Sequence, residues 1–520
     1  MECLGIKDRY NAAHTFIERN IANGLGNKTA IYYKDETYTY QRITDLMNQF
    51  GNALQSLDIE LENRILLVLD DTPNFAISFF GAIKIGVIPI PVNPRLQPYE
   101  YEYFLNNSRS KALIVEKHVW ETLSHLRKRF LFLKHVIVVD NAGEYPDCHD
   151  FQKLISKEST ELEFARTESD DAGFWLYTSG STGLPKGVVH LQRDMEVALN
   201  CYAKGILNIS ETDITFSASK LYFAYGLGGG LYFSFGIGGS TVLMREIPSP
   251  EKIFEHIETY RPTVFFGVPT LYAAMLRFAE NSERTFDLSS LRVCVSAGEA
   301  LPELFYKKFK NMFHVDILDG IGSTEATHIY ISNRFGNIRP GSTGLAVDGY
   351  EIKIVDEAGN PVPPNVPGDL LLKGDSLARG YWNIHETSKK KFVGEWYNTG
   401  DKYYQDTDGF YWYCGRSDDM LKSGGIWVSP IEVENALLHH EAILEAAVIG
   451  EEDGDGLTKP VAYLVLNETA SKPDESELRA FLKQQLDAYK CPKRFVFVSS
   501  LPKTASGKIQ RFKLRNFVQA

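Results

Sequence analysis

The chain lacks the marks of a secreted scaffold, a metal ribbon or a membrane protein. Six cysteines in 520 residues (Cys3, Cys148, Cys201, Cys294, Cys414 and Cys491) stand far apart with no CxxC pair. That spacing excludes a disulfide framework and a zinc ribbon and reads as reduced thiols. Basic charge is in deficit, with a net charge of -12. A general nucleic-acid binder needs the opposite balance to displace counterions, so no nucleic-acid partner is expected. Long apolar runs are missing too: the most apolar stretch, 76–92, is broken by Lys84, Pro89 and Pro91. It suits a buried helix entering a strand, not a membrane span. The opening MECLGIKDRY has no basic-then-apolar profile, and with no signal peptide a soluble, cytoplasmic protein is expected. There is no internal repeat and no low-complexity tract. No GxSxG segment occurs either, which removes a nucleophile-elbow hydrolase from consideration.

What is present begins with length. A chain of 520 residues exceeds one ordinary core, so two or more domains are expected. From residue 60 onward, β-branched runs alternate with amphipathic ones: 64–70, 112–116, 135–140, 174–177, 240–244, 263–269 and 291–298 read as strands, and 75–85 as a helix. This rhythm predicts an α/β fold with parallel-rich sheets layered by helices, and ligands at the carboxyl ends of strands. Past residue 345 the texture turns antiparallel, with Gly and Pro turns and little helix. After 415–420 a small α+β unit starts, its helix announced by Ser429 as N-cap, Pro430 in the first turn and Glu432 completing a capping box. The expected division is a large domain over 1–415, a hinge at 416–420 and a small mobile domain over 421–520.

The most informative segment is YTSGSTGLPKGVVH, 177–190. Glycines let backbone amides face an anion, hydroxyls donate to phosphate oxygens, and a lysine adds charge. It is not a Walker A loop, because Pro185 precedes Lys186 and Gly187 follows it. An ordinary surface hairpin has a similar composition.

Four more segments decide between these readings: GIGSTE (320–325), NTGD (398–401), GRSDDMLKSGG (415–425) and PKTASGK (502–508). Together with 177–190 they resemble, in order, the signatures of the adenylate-forming superfamily, which holds acyl- and aryl-CoA ligases, peptide-synthetase adenylation domains and luciferase. The resemblance implies ATP and Mg²⁺ as cofactors and an acyl-adenylate intermediate. It implies nucleotide contacts at Thr178, Ser179, Gly180, Ser181, Thr182, Gly183 and Lys186, and along adenine at Gly298, Glu299 and Ala300. Asp401 is implied to take the ribose hydroxyls, with Arg416 near ribose or phosphate. Thr324 is implied beside the α-phosphate, and Glu325 as the Mg²⁺ ligand. Lys508 is implied as the catalytic ammonium, Asp418 as the hinge, and Gly424 with Gly425 as the wall of the thiol tunnel.

The acid pocket is expected at Phe223, Ala224, Tyr225, Ala297, Gly322, His328 and Ile329. No aspartate stands in 221–226 to meet a substrate ammonium, which argues against amino acids, since a buried unpaired ammonium is costly. Aromatic and small residues suit a flat ring. Ile321, where the superfamily usually has an aromatic, and the ending PKTASGKIQRFKLR are most similar to benzoate-CoA ligases. The expected reaction joins a small aromatic acid to coenzyme A, releasing AMP and pyrophosphate. A carrier protein's phosphopantetheine is the alternative acceptor, a short- or medium-chain fatty acid the alternative substrate, and a non-catalytic nucleotide sensor the alternative class. A monomer or homodimer is expected.

Overall fold

The computed structural model describes residues 9–140, 143–178, 184–423, 426–452, 458–467, 470–503 and 509–516. Two parallel-rich sheets dominate the large region. One has five strands, Ile88–Pro91, Arg64–Val68, Ala112–Glu116, His135–Val139 and His149–Asp150, all parallel. The other has nine, in which Thr29–Tyr33, Ser240–Val242, Ile214–Ser217, Val264–Gly267, Val293–Ser296 and Ile317–Gly322 run parallel, with antiparallel strands at both edges.

The period-2 alternation of side chains builds the layers between and around these sheets. Ile65 and Leu67 point into the same core as Val264, Phe266, Val293 and Val295 of the other sheet. Between them lies the helix Pro73–Lys84, buried at every position but Asn74. That accounts for its nearly unbroken apolar sequence: it has no water-facing side to mark with polar residues. The intervening residues Leu66, Val68 and Leu113 face outward onto Tyr101, Phe104 and Trp120. Likewise Phe265, Cys294 and Ile317 face the helices Pro250–Tyr260, Pro269–Glu280 and Glu303–Phe313. The outcome is helix, sheet, helix, sheet, helix, as the alternating sequence predicts.

One strand departs from that rhythm. Ala172–Thr178 does not join a parallel sheet; it forms an antiparallel hairpin with Lys186–Leu191, extended by Gly380–Tyr381. A connection of seven residues between the paired strands is too short for a parallel crossover. The expected antiparallel region is present as Tyr350–Val355, Gly368–Gly374, Trp396–Gln405, Phe392–Val393 and Tyr411–Arg416.

Among the described residues the C-terminal unit has a three-stranded sheet, Ile443–Glu452, Thr458–Leu466 and Arg494–Phe497, a two-stranded one, Leu421–Ser423 with Ile426–Val428, and helices Pro430–Leu438, Glu475–Lys483 and Arg511–Asn516. Ser429 caps the first helix by accepting from the Glu432 N–H at 3.2 Å. The expected reciprocal half of the capping box is absent: the Glu432 carboxylate takes the Lys490 ammonium at 2.7 Å instead, a charged partner outcompeting a neutral amide. Among the described residues, the hydrophobic clusters of this unit begin at Leu421, while buried members of the other clusters end at Tyr411. No described helix is long and apolar enough to cross a membrane.

Candidate active site

The expected site residues come from four pieces of backbone that meet at the carboxyl ends of the nine-stranded sheet. Val293–Ser296 and Ile317–Gly322 are parallel neighbours, so the segments leaving them, 297–301 and 323–328, emerge side by side. Gly298 adopts φ +97°, a backbone region open to glycine at little cost. In the second segment, Ser323 caps a single 3-10 turn, Thr324–Ala326, by accepting from the Ala326 N–H. The next residue, Thr327, holds φ +69°, unusual for a β-branched side chain. Its hydroxyl donates to the Ser376 carbonyl at 2.8 Å, and the Ser376 hydroxyl donates to the Ala326 carbonyl at 2.8 Å. The turn is thus pinned from outside.

That pinning fixes Glu325. Its carboxylate is buried, and Oε1 accepts from the Tyr381 hydroxyl at 2.7 Å. Among the described residues Oε2 has neither hydrogen bond nor ion pair, which leaves an oxygen for a cation. The Lys186 ammonium lies 5.4 Å from the centre of the Tyr381 ring, so lysine, tyrosine and glutamate form one row. Thr178 pairs with Lys186 across the hairpin. The loop residues Ser179, Gly180, Ser181, Thr182 and Gly183 lie outside the described residues. Beneath this row, His190 is fully buried, with Nδ1 2.9 Å from Asp194 Oδ2 and Nε2 2.8 Å from the Thr324 carbonyl. The hairpin that carries Lys186 therefore also holds the Thr324–Glu325 turn.

Asp401 and Arg416 face each other across the antiparallel pair Trp396–Gln405 and Tyr411–Arg416. Arg416 Nη1 donates to Asp401 Oδ1 at 3.1 Å and to the Thr399 carbonyl at 3.3 Å. Asp401 is buried, and its own N–H donates to the Thr399 hydroxyl. Gly400, at φ +79°, keeps this corner open: a methyl there would stand 3.2 Å from Arg416 Nη2.

The residues expected to line the acid pocket come from two segments that pack together at Tyr225 and His328. Tyr225 points inward, but its hydroxyl is spent on the carbonyls of Val295 (2.9 Å) and Gly267 (3.1 Å). His328 is buried among Tyr202, Tyr225 and Phe233. Burial pushes its imidazole down to about 3, so the ring is neutral at physiological pH. Nε2 lies 3.3 Å from the Tyr225 carbonyl, and Nδ1 is buried without a partner among the described residues. Ile329 and Ala297 are buried, and Phe223 and Ala224 are half-buried. A methyl on Gly322 would come within 2.5 Å of the His328 carbonyl, and one on Gly228 within 2.4 Å of the His328 ring. Glycine is required at both by close approach. Behind 297–301, burial pushes the Asp319 carboxyl up to about 8, with the Leu301 N–H donating to it at 3.4 Å.

From the C-terminal unit, the Ile509 N–H donates to Glu299 Oε1 at 2.9 Å. Glu299, expected along adenine, therefore bridges the two parts of the chain as well. Lys508, which precedes Ile509, lies outside the described residues, as do Gly424 and Gly425. Asp418 is exposed in the turn after Arg416. Arg511, three residues past Lys508, is anchored: its guanidinium makes a bidentate pair with buried Glu434 at 2.7 and 2.8 Å. Tyr381, His190, Asp194, Asp319 and Glu434 were not singled out from the sequence. Tyr381, His190, Asp319 and Glu434 act through partners well separated along the chain, and Asp194 acts by orienting His190, so no local pattern marks them.

Comparison with known proteins places this geometry. Residues 18–382 match the model of the AMP-binding enzyme family, and residues 432–508 match the AMP-binding enzyme C-terminal domain. A benzoate–CoA ligase of Thauera aromatica is 45% identical over 99% of this chain and 97% of its own length. Among solved structures, an anthranilate CoA ligase in complex with anthranoyl-AMP superposes with a TM-score of 0.94 at 41% identity, covering 100% of this chain and 99% of its own. A benzoate CoA ligase from Burkholderia xenovorans gives 0.90 at 43%, covering 97% and 100%.

Proposed function

Given that the chain belongs to the AMP-binding enzyme family, we propose that it is an AMP-forming aryl–CoA ligase that activates a benzoate-like acid with ATP. A carboxylate oxygen of the acid attacks the α-phosphorus, the bond to the β-phosphate oxygen breaks, and pyrophosphate leaves. The thiol sulfur of coenzyme A then attacks the acyl carbon of the aryl-adenylate, and AMP leaves as the thioester forms.

The observation that carries this reading is the convergence of Glu325, Lys186, Asp401 and Arg416 on one place, where all four charges act on the Lys391 ammonium. Asp401 presents a buried carboxylate suited to accept from the ribose hydroxyls, while Lys186 and Arg416 offer charge to the phosphates. Thr178 and the loop 179–183 complete the phosphate cradle, with Thr324 beside the α-phosphate and Gly298–Ala300 along the base. Glu325, with an oxygen to spare, would hold Mg²⁺, which when bound neutralises charge developing on the phosphates. Lys508 stabilises the transition state of adenylation by placing an ammonium between two anions that are forced together.

The acid pocket supports an aromatic ring. A neutral His328 and a Tyr225 whose hydroxyl is already engaged present mainly aromatic faces and edges, and both compared structures act on aromatic acids.

The chain divides at 416–420. The C-terminal part rotates about Asp418 after adenylation, withdrawing Lys508 and presenting Gly424 and Gly425 to the pantetheine arm.

Acid-dependent ATP–pyrophosphate exchange tests the first step with benzoate, hydroxybenzoates, anthranilate, octanoate and amino acids, and CoA consumption tests the second. Exchange confined to aromatic acids with thioester formation is expected. No exchange with any aromatic acid would overturn the reading, and exchange without turnover of CoA would move the acceptor to a carrier-bound thiol.

A further inference from the structure

The sequence Ser388-Lys389-Lys390-Lys391 looks like a solvated basic run at the end of a short helix, His385–Lys391. Two of the three lysines behave so: Lys389 and Lys390 are exposed. Lys391 turns inward. Its ammonium donates to the Asn398 carbonyl at 3.1 Å. It sits against Gly400, where a methyl would stand 2.9 Å from Lys391 Nζ as well as 3.2 Å from Arg416 Nη2. The positive-φ glycine of the NTGD segment thus makes room for two cationic groups flanking one point.

This arrangement is electrostatically incomplete. Burial, and then the nearby Arg416 charge, hold the Lys391 ammonium below the usual lysine range, while Glu325 and Asp401 pull it back up and Lys186 pushes it further down. Arg416 is already paired with Asp401. Among the described residues, neither Lys391 nor Lys186 forms an ion pair. One ammonium proton of Lys391 is spent on the Asn398 carbonyl, and two remain. Among the described residues three cations therefore stand near two carboxylates at this point, and an ammonium held half-buried beside like charge is tolerated where an anion completes it.

We propose that Lys391 is a third phosphate-binding cation, which with Lys186 and Arg416 contacts the polyphosphate of the bound nucleotide. The proposal rests on the reading of this opening as an ATP site. The competing role is purely structural, a tether from the helix end to the Asn398 carbonyl, and the two differ in what the nucleotide must carry. A phosphate contact is lost for ATP and not for adenosine. A tether is lost for both or for neither.

Isothermal titration of the full chain separates them, with ATP in magnesium buffer and with adenosine as the two probes. Lys391→Met is expected to weaken ATP about tenfold and adenosine less than about twofold, at an unchanged melting temperature. Lys391→Arg is expected to restore ATP affinity to within about threefold, since the guanidinium keeps the charge. The exposed neighbour variant Lys389→Met should leave both affinities unchanged. Unaltered ATP binding in Lys391→Met, equal losses for ATP and adenosine, or failure of arginine to restore affinity would each overturn the proposal while leaving the ligase reading intact. Failure of the unmodified chain to bind ATP would overturn both. If Lys391→Met does not fold, the ATP-to-adenosine ratio in Lys391→Gln carries the same test.

Discussion

On the large-region side of the site, among the described residues, three functional groups are braced by a strand or a pinned turn: Glu325 by Tyr381, the Thr324 carbonyl by His190, and Asp401 by Arg416 and Thr399. The C-terminal unit meets that side by contacts of another kind, among them Ile509 on Glu299 and the Ser429 hydroxyl donating to the Cys414 carbonyl. Its hydrophobic clusters stop at the boundary. The first side is a preorganised receptor, which favours electrostatic work because nothing needs to reorient. The second is a body with its own core that polar contacts hold in place, and such contacts exchange with water at little net cost. A two-step reaction that needs one group present and then absent fits this division.

The comparison is open to attack at several points. The largest expected effect is on the second body itself. Arg511→Met strips the bidentate partner from buried Glu434 and should destabilise the C-terminal unit by about 3–5 kcal/mol. Denaturant unfolding should then show an early transition for that unit with the large region unmoved, and a single displaced transition would mean that the two parts are not independent. Next, Lys508→Ala should lower adenylation about 10²–10³-fold and spare thioester formation from pre-formed aryl-adenylate, both followed by quenched-flow assay. A smaller loss than that of Lys186→Ala would reverse the assignment of the more sensitive lysine. Asp418→Pro, which fixes φ at the turn, should impair the thioester step about tenfold more than adenylation; equal losses would refute the hinge. The smallest effect belongs to Glu299→Gln. It weakens the acceptor for the Ile509 N–H and should slow adenylation about threefold without altering the thioester half-reaction.

Much of the architecture was legible because it follows from local periodicity. The strands Ala112–Glu116 and Arg64–Val68 and the helix Pro73–Lys84 are continuous apolar runs, as fully covered elements must be. The small C-terminal unit was legible from Ser429–Pro430, a start signal that is itself local. The motif residues were legible as a set, since several short strings in order are specific even when each alone is weak. Pairings were not. Tyr381 reaches Glu325 across 56 positions and His190 reaches Thr324 across 134, distances over which spacing carries no information. The direction of Lys391 was invisible for a related reason: three identical neighbours differ only in the angle at which the helix ends. The antiparallel pairing within 172–191 is not legible either, because apolar strands look alike whether their partners are parallel or antiparallel.

The glycines packed around His328 and Phe266 carry a consequence for where side chains can change. A methyl on Gly229 would press within 2.5 Å of the Phe266 ring, and one on Gly226 within 2.2 Å of the Lys220 carbonyl. Together with Gly228 and Gly322, which crowd the His328 ring and carbonyl, they mark positions where an added side chain would force its neighbours to move. Side-chain volume around His328 can therefore be altered at residues that already carry a Cβ, such as Ala224 and Ile329, while the backbone that these glycines bring together keeps its close approach.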